Sequence, residues 1–191
     1  MLLPTKRKEA FLKSIIIFAA TFVLGVGSIS AKAQSNKSVY TTLEAQHCRT
    51  LKSDSSGAGQ YLGRCLGVGG YSLLVAEDDL RQNITVVTPH GAKHSLELWE
   101  VVSSAFSHVG SKAEWRITKL KGKVLPIALI VRFTASEDAA RPNKTTSYLV
   151  VSKITSESVC VTDKISAGTN ANEEARRAAD VSGTKPCLKK P

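Results

Sequence analysis

Ile127-Ala128-Leu129-Ile130-Val131-Arg132-Phe133 is the most apolar run in the chain beyond residue 33. A run this short and this apolar predicts a central β-strand. Working outward, Glu114 to Leu120 alternates, with Trp115 and Ile117 on one side and Arg116 and Thr118 on the other. A period of two sends one set inward and leaves the other in water. Leu80 to Val87 repeats the pattern, Leu80, Ile84 and Val86 opposing Arg81, Asn83 and Thr85, while Tyr71 to Ala76 is apolar at nearly every position. Glu77-Asp78-Asp79 reads as a polar turn that joins these two strands antiparallel. Thr145 to Ile154 and Val159 to Ile165, separated by Thr155-Ser156-Glu157-Ser158, complete the set. Such runs, punctuated by Gly, Asp, Ser, Asn and Pro, describe a sheet with turns and not a bundle.

Two segments depart from the period of two. Asn170 has the chemistry of a helix N-cap, with Glu173 placed to reach back as in a capping box. Ala171, Ala175, Ala178 and Ala179 then share one helical face, Arg176 and Arg177 take the other, and Gly183 is placed to end the helix. From Leu98 to Val109 the apolar spacing is helical although the residues are indifferent helix formers, which predicts a strand to about Trp99 followed by an irregular or briefly helical connection. The fold class expected is mainly β with an α+β character: an antiparallel sheet or β-sandwich-like domain with one C-terminal helix, stabilised by disulfides.

The N-terminus sets the compartment. Lys6, Arg7, Lys8 and Lys13 precede an apolar run from Ser14 to Gly27, and Ala31-Lys32-Ala33 supplies a small-x-small cleavage site. The run is shorter than the roughly 18 to 20 residues a membrane-crossing helix needs. Residues 1–33 therefore read as a signal peptide, 34–38 as a flexible leader and 39–191 as a single β-rich domain. Removal of the signal leaves 158 of the 191 residues, enough to bury one core. The whole chain carries +10, but the exported part has 21 basic and 15 acidic residues and a net +6, so part of the basicity serves targeting. Export argues against nucleic acid as a partner, and cleavage leaves no stable membrane span.

Cys48, Cys65, Cys160 and Cys187 all lie in the exported part, where an even count reads as disulfides. Three pairings are possible. Cys48 with Cys65 and Cys160 with Cys187 is favoured, because pairs near in sequence close without threading one another. No Cys-x-x-Cys or matching histidine spacing suggests a metal site, and no cofactor is expected.

Taken in order, Cys65-Leu66-Gly67-Val68-Gly69-Gly70-Tyr71, Glu77-Asp78-Asp79-Leu80-Arg81, Glu114-Trp115-Arg116 and Thr146-Ser147-Tyr148-Leu149-Val150-Val151 resemble a family of small, exported bacterial proteins of unknown function. The resemblance spans most of the exported domain. It implies a bacterial periplasm and no mechanism. In that setting the Asn-x-Ser/Thr patterns at Asn36, Asn83 and Asn143 carry no glycan.

Few constellations point to chemistry. His90 and His94 are four apart, as helical metal ligands would be, but Pro89 and Gly91 make the segment a turn, and the glutamate of a zinc protease motif is absent. The glycine-rich loop at Gly63, Gly67, Gly69 and Gly70 lacks a following Lys-Ser or Lys-Thr and leads into a strand, so it reads as a turn beside Cys65 and not as a phosphate cradle. No serine occupies a nucleophile elbow. Glu77-Asp78-Asp79 and Glu137-Asp138 are paired acids in turns. Lys119, Lys121 and Lys123, with Lys185, Lys189 and Lys190, either keep edges soluble or touch anionic envelope material.

The expected function is a non-catalytic binding or envelope-maintenance module that meets an envelope component or a protein partner. Arg81, Trp99, Arg116, His90 and His94 are the candidate binding residues; Trp115 shares the Trp and Arg chemistry of interface hot spots but reads as core. A lysozyme-inhibitor-like role would suit a small, exported, disulfide-bonded domain, although the net +6 opposes a basic target. Two rival readings are a periplasmic hydrolase with His90, His94 or His108 as base, and a structural part of an envelope complex.

Overall fold

Why these residues make a two-faced sheet is visible in β8 (Lys123–Ala135), the strand that contains the apolar run. In a computed structural model of the chain, which describes residues 36–57 and 59–190, Leu129, Val131 and Phe133 point into one core while Ala128 and Ile130 point into a second. A strand buried on both faces cannot alternate with polar residues, and that is the origin of its unbroken apolar reading. Arg132 is exposed and marks where the outer cover stops.

The strands β1 (Lys37–Thr42), β2 (Arg49–Asp54), β3 (Gln60–Leu66), β4 (Ser72–Asp78), β5 (Arg81–Val87), β6 (Lys93–Ser95), β7 (Ser107–Leu120), β8, β9 (Thr146–Ile154) and β10 (Val159–Ser166) belong to one sheet. Its order is β10-β9-β8-β7-β5-β4-β3-β2, with β1 added to β7 and β6 to β5. Pairing is antiparallel except for a single parallel bridge, Arg81 with Ser107, where β5 meets the start of β7. The sheet curls over on itself. Leu73, Val75, Ile84 and Val86 from β4 and β5 pack against Trp115, Leu129, Val131, Phe133, Val150 and Val161 from β7 to β10. On the outer side, Ala171, Ala175 and Ala179 of helix α2 (Ala171–Asp180) lie on Ala128, Ile130, Leu149, Val151 and Ile165. Alanines let the helix approach the sheet closely.

Trp115 is the centre of the inner core. It is fully buried, its Nε1–H donates to Thr41 Oγ1 at 2.9 Å, and Tyr71 stands against it with ring centroids 6.2 Å apart. The loop after Cys65 closes over it. A side chain at Gly67 would put its Cβ 2.7 Å from Trp115 Cζ2, so this glycine is required by contact and not by any ligand. Cys48 and Cys65 are joined at the base of that loop, and Cys160–Cys187 ties the C-terminal tail to β10, the pairing expected from spacing. Each bridge closes a loop of 17 or 27 residues, a constraint on the unfolded chain worth about 3 kcal/mol.

Several expectations change. The expected signal at 1–33 lies outside the described residues, as do Gln34 and Ser35 of the expected leader. Lys37 and Ser38 are not leader but the start of β1, because Ser38 is drawn into a buried polar cluster on β7. β7 begins at Ser107, seven residues before the alternation becomes legible, since a bulge between Val109 and Ala113 breaks the period. No strand reaches Trp99: β6 ends at Ser95 and a single helical turn, α1 (Leu98–Val101), follows. The capping box does not form. Asn170 makes no side-chain cap, and α2 ends at Asp180 before Gly183, with Ser182 Oγ donating to the Ala179 carbonyl at 2.8 Å.

Replacing Trp115 by alanine should lower the free energy of unfolding by about 3 to 5 kcal/mol, and Thr41→Val by about 1 to 3 kcal/mol through the stranded indole N–H. Urea denaturation followed by circular dichroism measures both; a Trp115→Ala change below 1 kcal/mol would contradict the assignment of Trp115 as the core's centre.

Candidate functional site

At the end of the domain where β4 turns into β5, Asp78 pairs with Arg81 and leaves only Asp79 and Leu80 to make the turn. Both have positive φ, 48° and 58°, as a two-residue type I′ turn demands. Asparagine and glycine normally take these positions; leucine there is held against a steric penalty of about 1 to 2 kcal/mol. The neighbours that hold it are explicit. The Ser107 N–H donates to the Leu80 carbonyl at 2.9 Å. The Arg81 guanidinium donates to the carbonyls of Ser104 at 2.8 Å and Asp79 at 3.1 Å, pairs with the Asp79 carboxylate, and lies over the Phe106 ring at 4.9 Å. Arg81 is therefore a clamp that fastens the turn to the segment before β7.

The adjoining helical turn is fastened in the same way. Glu97 enters it at φ 50°, and the Leu98 N–H donates to Asn83 Oδ1 at 3.0 Å. Leu98 is buried, which turns Trp99 outward. Beneath, Lys164 Nζ donates to the Val102 carbonyl at 2.6 Å and sits 4.0 Å from the centre of the Tyr148 ring. Tyr148 donates its hydroxyl proton to Glu137 at 2.7 Å. Burial and the Glu137 carboxylate push the Tyr148 hydroxyl up to about 12. Burial alone would raise Glu137, but hydrogen bonds from Tyr148, Ser103 and Thr146, with the Lys164 charge, outweigh it and hold the carboxyl below its ordinary value.

Leu80, Trp99 and Phe106 emerge from this scaffold 48%, 42% and 49% exposed. Around them run three depressions. One of about 540 Å³ is lined by Arg81, Trp99, Glu100 and Lys190; one of about 400 Å³ by Arg81, Phe106, Glu137 and Asp138; one of about 240 Å³ by Glu77, Leu80, Phe106, Ser107 and His108. All are open to solvent, and Arg81 and Phe106 are shared between neighbours. Exposed aromatic side chains on a fixed backbone suit the burial of a partner's side chains.

Of the residues singled out in the sequence, Arg81 and Trp99 come together here. His90 is exposed on the Thr88–Ala92 turn, and His94 sits on β6 opposite Val86, five residues along β5 from Arg81 or about 17 Å. They join neither this site nor a metal cluster among the described residues. His108 lies on the rim, with no carboxylate within hydrogen-bond distance among the described residues.

Arg116 is not a surface anchor. Its side chain is buried and forked onto Asp180 of α2, with both N···O distances 2.8 Å, and it also donates to Ser38 Oγ at 2.7 Å and the Asn36 carbonyl at 3.1 Å. Ser38 in turn bonds Glu114, which accepts from Arg176 at 2.7 Å. The cluster locks α2 and β1 to β7.

Leu80 and Phe106 were invisible as site residues. Leu80 reads as the inward side of an alternating strand and is instead the second residue of the turn, and Phe106 falls in the irregular connection. The two-residue gap between paired strands is the only signal for Leu80, and without a glycine it is hard to read. A search against protein-family models, characterised proteins and solved structures finds no match to this chain. What fold and site define is a disulfide-tied, curled β-sheet domain with one covering helix and an exposed aromatic end.

Two outcomes follow. Leu80→Gly should raise stability by about 0.5 to 1 kcal/mol, the relief of the left-handed strain less the added chain entropy of glycine, read as a higher melting temperature. For Glu114, burial raises the carboxyl but the bonds from Arg176 and Ser38 and the Arg176 charge prevail, so it titrates below its ordinary 4.5. A depressed folded value stabilises fully above that pH and is lost as pH falls through the folded value. Unfolding free energy measured in urea should therefore drop as the pH is lowered from about 5 to about 3, and Glu114→Gln should flatten that slope.

Proposed function

We propose that this chain is an exported, non-catalytic binding protein of the bacterial periplasm and that it engages a protein partner through the Leu80–Trp99–Phe106 end. The signal-like N-terminus and the resemblance to small exported bacterial proteins support the location, and two formed disulfides are compatible with an oxidising compartment. The observation that carries the reading is the strained, clamped turn that holds Leu80 beside Phe106 in solvent. A leucine kept at positive φ and half-exposed adds nothing to the core, whereas strain retained where a surface is shaped for contact is a feature of binding sites. The shallow form of the depressions, and the lack of a hydrogen bond from His90, His94 or His108 to a carboxylate among the described residues, give the hydrolase reading no support.

The test is photo-crosslinking in the native extract. A photoreactive residue at position 106 should capture a discrete partner, one at position 121 on the remote β7–β8 turn should not, and capture should fall in the Leu80→Gly background despite its greater stability. Equal capture at 106 and 121 would overturn the assignment of this end.

A further inference from the structure

We infer that the partner presents a lysine or arginine beside an aliphatic side chain, and that its cation enters the depression between Glu77, Phe106 and Ser107. The inference rests on the binding face argued above and adds its chemistry.

Three observations converge on that depression. First, its carboxylate is not neutralised. Most acids among the described residues have a cation within ion-pair distance: Asp79 has Arg81, Asp138 has Arg141, Glu100 has Lys190, Asp180 has Arg116. Glu77 instead accepts from the side-chain amide of Gln82 at 2.5 Å, and the adjacent Asp78 from that of Gln60 at 3.2 Å. Of the two, Glu77 lines the depression, and its neutral donor leaves that charge uncompensated among the described residues, in a domain whose exported part is net positive. The one nearby guanidinium, Arg81, is turned to Asp79, Ser104 and Phe106.

Second, Ser107 lines the same depression, is 7% exposed, and its Oγ has no hydrogen-bond partner among the described residues. A buried hydroxyl left unpaired is costly in the free protein; its oxygen is covered, so it accepts a bond from an arriving N–H donor only once the rim shifts to uncover it. Third, Phe106 forms the wall. Aromatic faces attract ammonium and guanidinium groups, as Arg81 already shows on this ring. Carboxylate, ring and unpaired hydroxyl are the recognition set of a cationic side chain, and half-exposed Leu80 and Trp99 provide for the aliphatic neighbour. The overall net positive charge, which opposes a basic target when the chain is treated as a point, is not the charge of this end.

The experiment uses the full exported domain and two synthetic dodecapeptides, one alternating leucine and lysine, the other leucine and glutamate. Titrations are followed by calorimetry at low and high salt. The lysine peptide should bind and the glutamate peptide should not. Glu77→Gln should weaken binding about fivefold or more at low salt and lessen its salt dependence. Phe106→Ala should weaken it about 30-fold, as loss of a hot-spot residue does. Ser107→Ala should weaken it while leaving the melting temperature unchanged or higher, which separates a ligand contact from a structural one. Binding of both peptides, lost in Phe106→Ala, would overturn the cationic partner and keep the face. Lysine-peptide binding unaffected by Phe106→Ala would overturn both. No binding at millimolar peptide, or self-association of the domain through this face by light scattering, would overturn the inferred partner.

Discussion

Everything in this domain hangs on the β7–β8 pair being buried on both sides. Trp115 and Phe133 fill the space inside the curled sheet, and the intervening residues of the same strands, Glu114, Arg116, Ala128 and Ile130, face α2. One register error would exchange the two sets, placing a tryptophan under the helix and two charges in the apolar core. The bulge at Ile127, opposite the step from Arg116 to Ile117, admits Pro126 where a regular ladder would need its missing N–H.

The outer layer is mixed in chemistry. Alanines of α2 give close contact but bury little area each, and the helix is also tied to β7 by Arg116–Asp180 and Glu114–Arg176. Those charges lie in a partly buried seam where breaking a pair is worse than never having had it. The same seam recruits Ser38 and so draws β1 to the edge of β7.

The exposed end obeys a different rule. There polar contacts do not cover apolar surface but aim it outward: Arg81 fastens the turn that displays Leu80, and Leu98 anchors the turn that displays Trp99. Rigid display of apolar groups lowers the entropy a partner must overcome on binding. It also separates the two tryptophans by position, Trp115 buried in the core and Trp99 displayed to solvent.

By itself the sequence determined what depends on neighbours along the chain: the central strand at Ile127–Phe133, the alternation through Trp115 and, past Leu80, through Ile84 and Val86, the α2 alanine face and the disulfide pairing. Its reading stopped where structure overrides local period. The bulge near Gly110 hid half of β7, and a type I′ turn without glycine disguised Leu80 as core. Tertiary structure alone decided that Arg116 is buried, that Arg81 meets Phe106 across 25 residues of chain, and that Glu77 has no cation beside it among the described residues. Those are facts of proximity between segments remote in sequence, and no periodicity along one strand encodes what lies across from it.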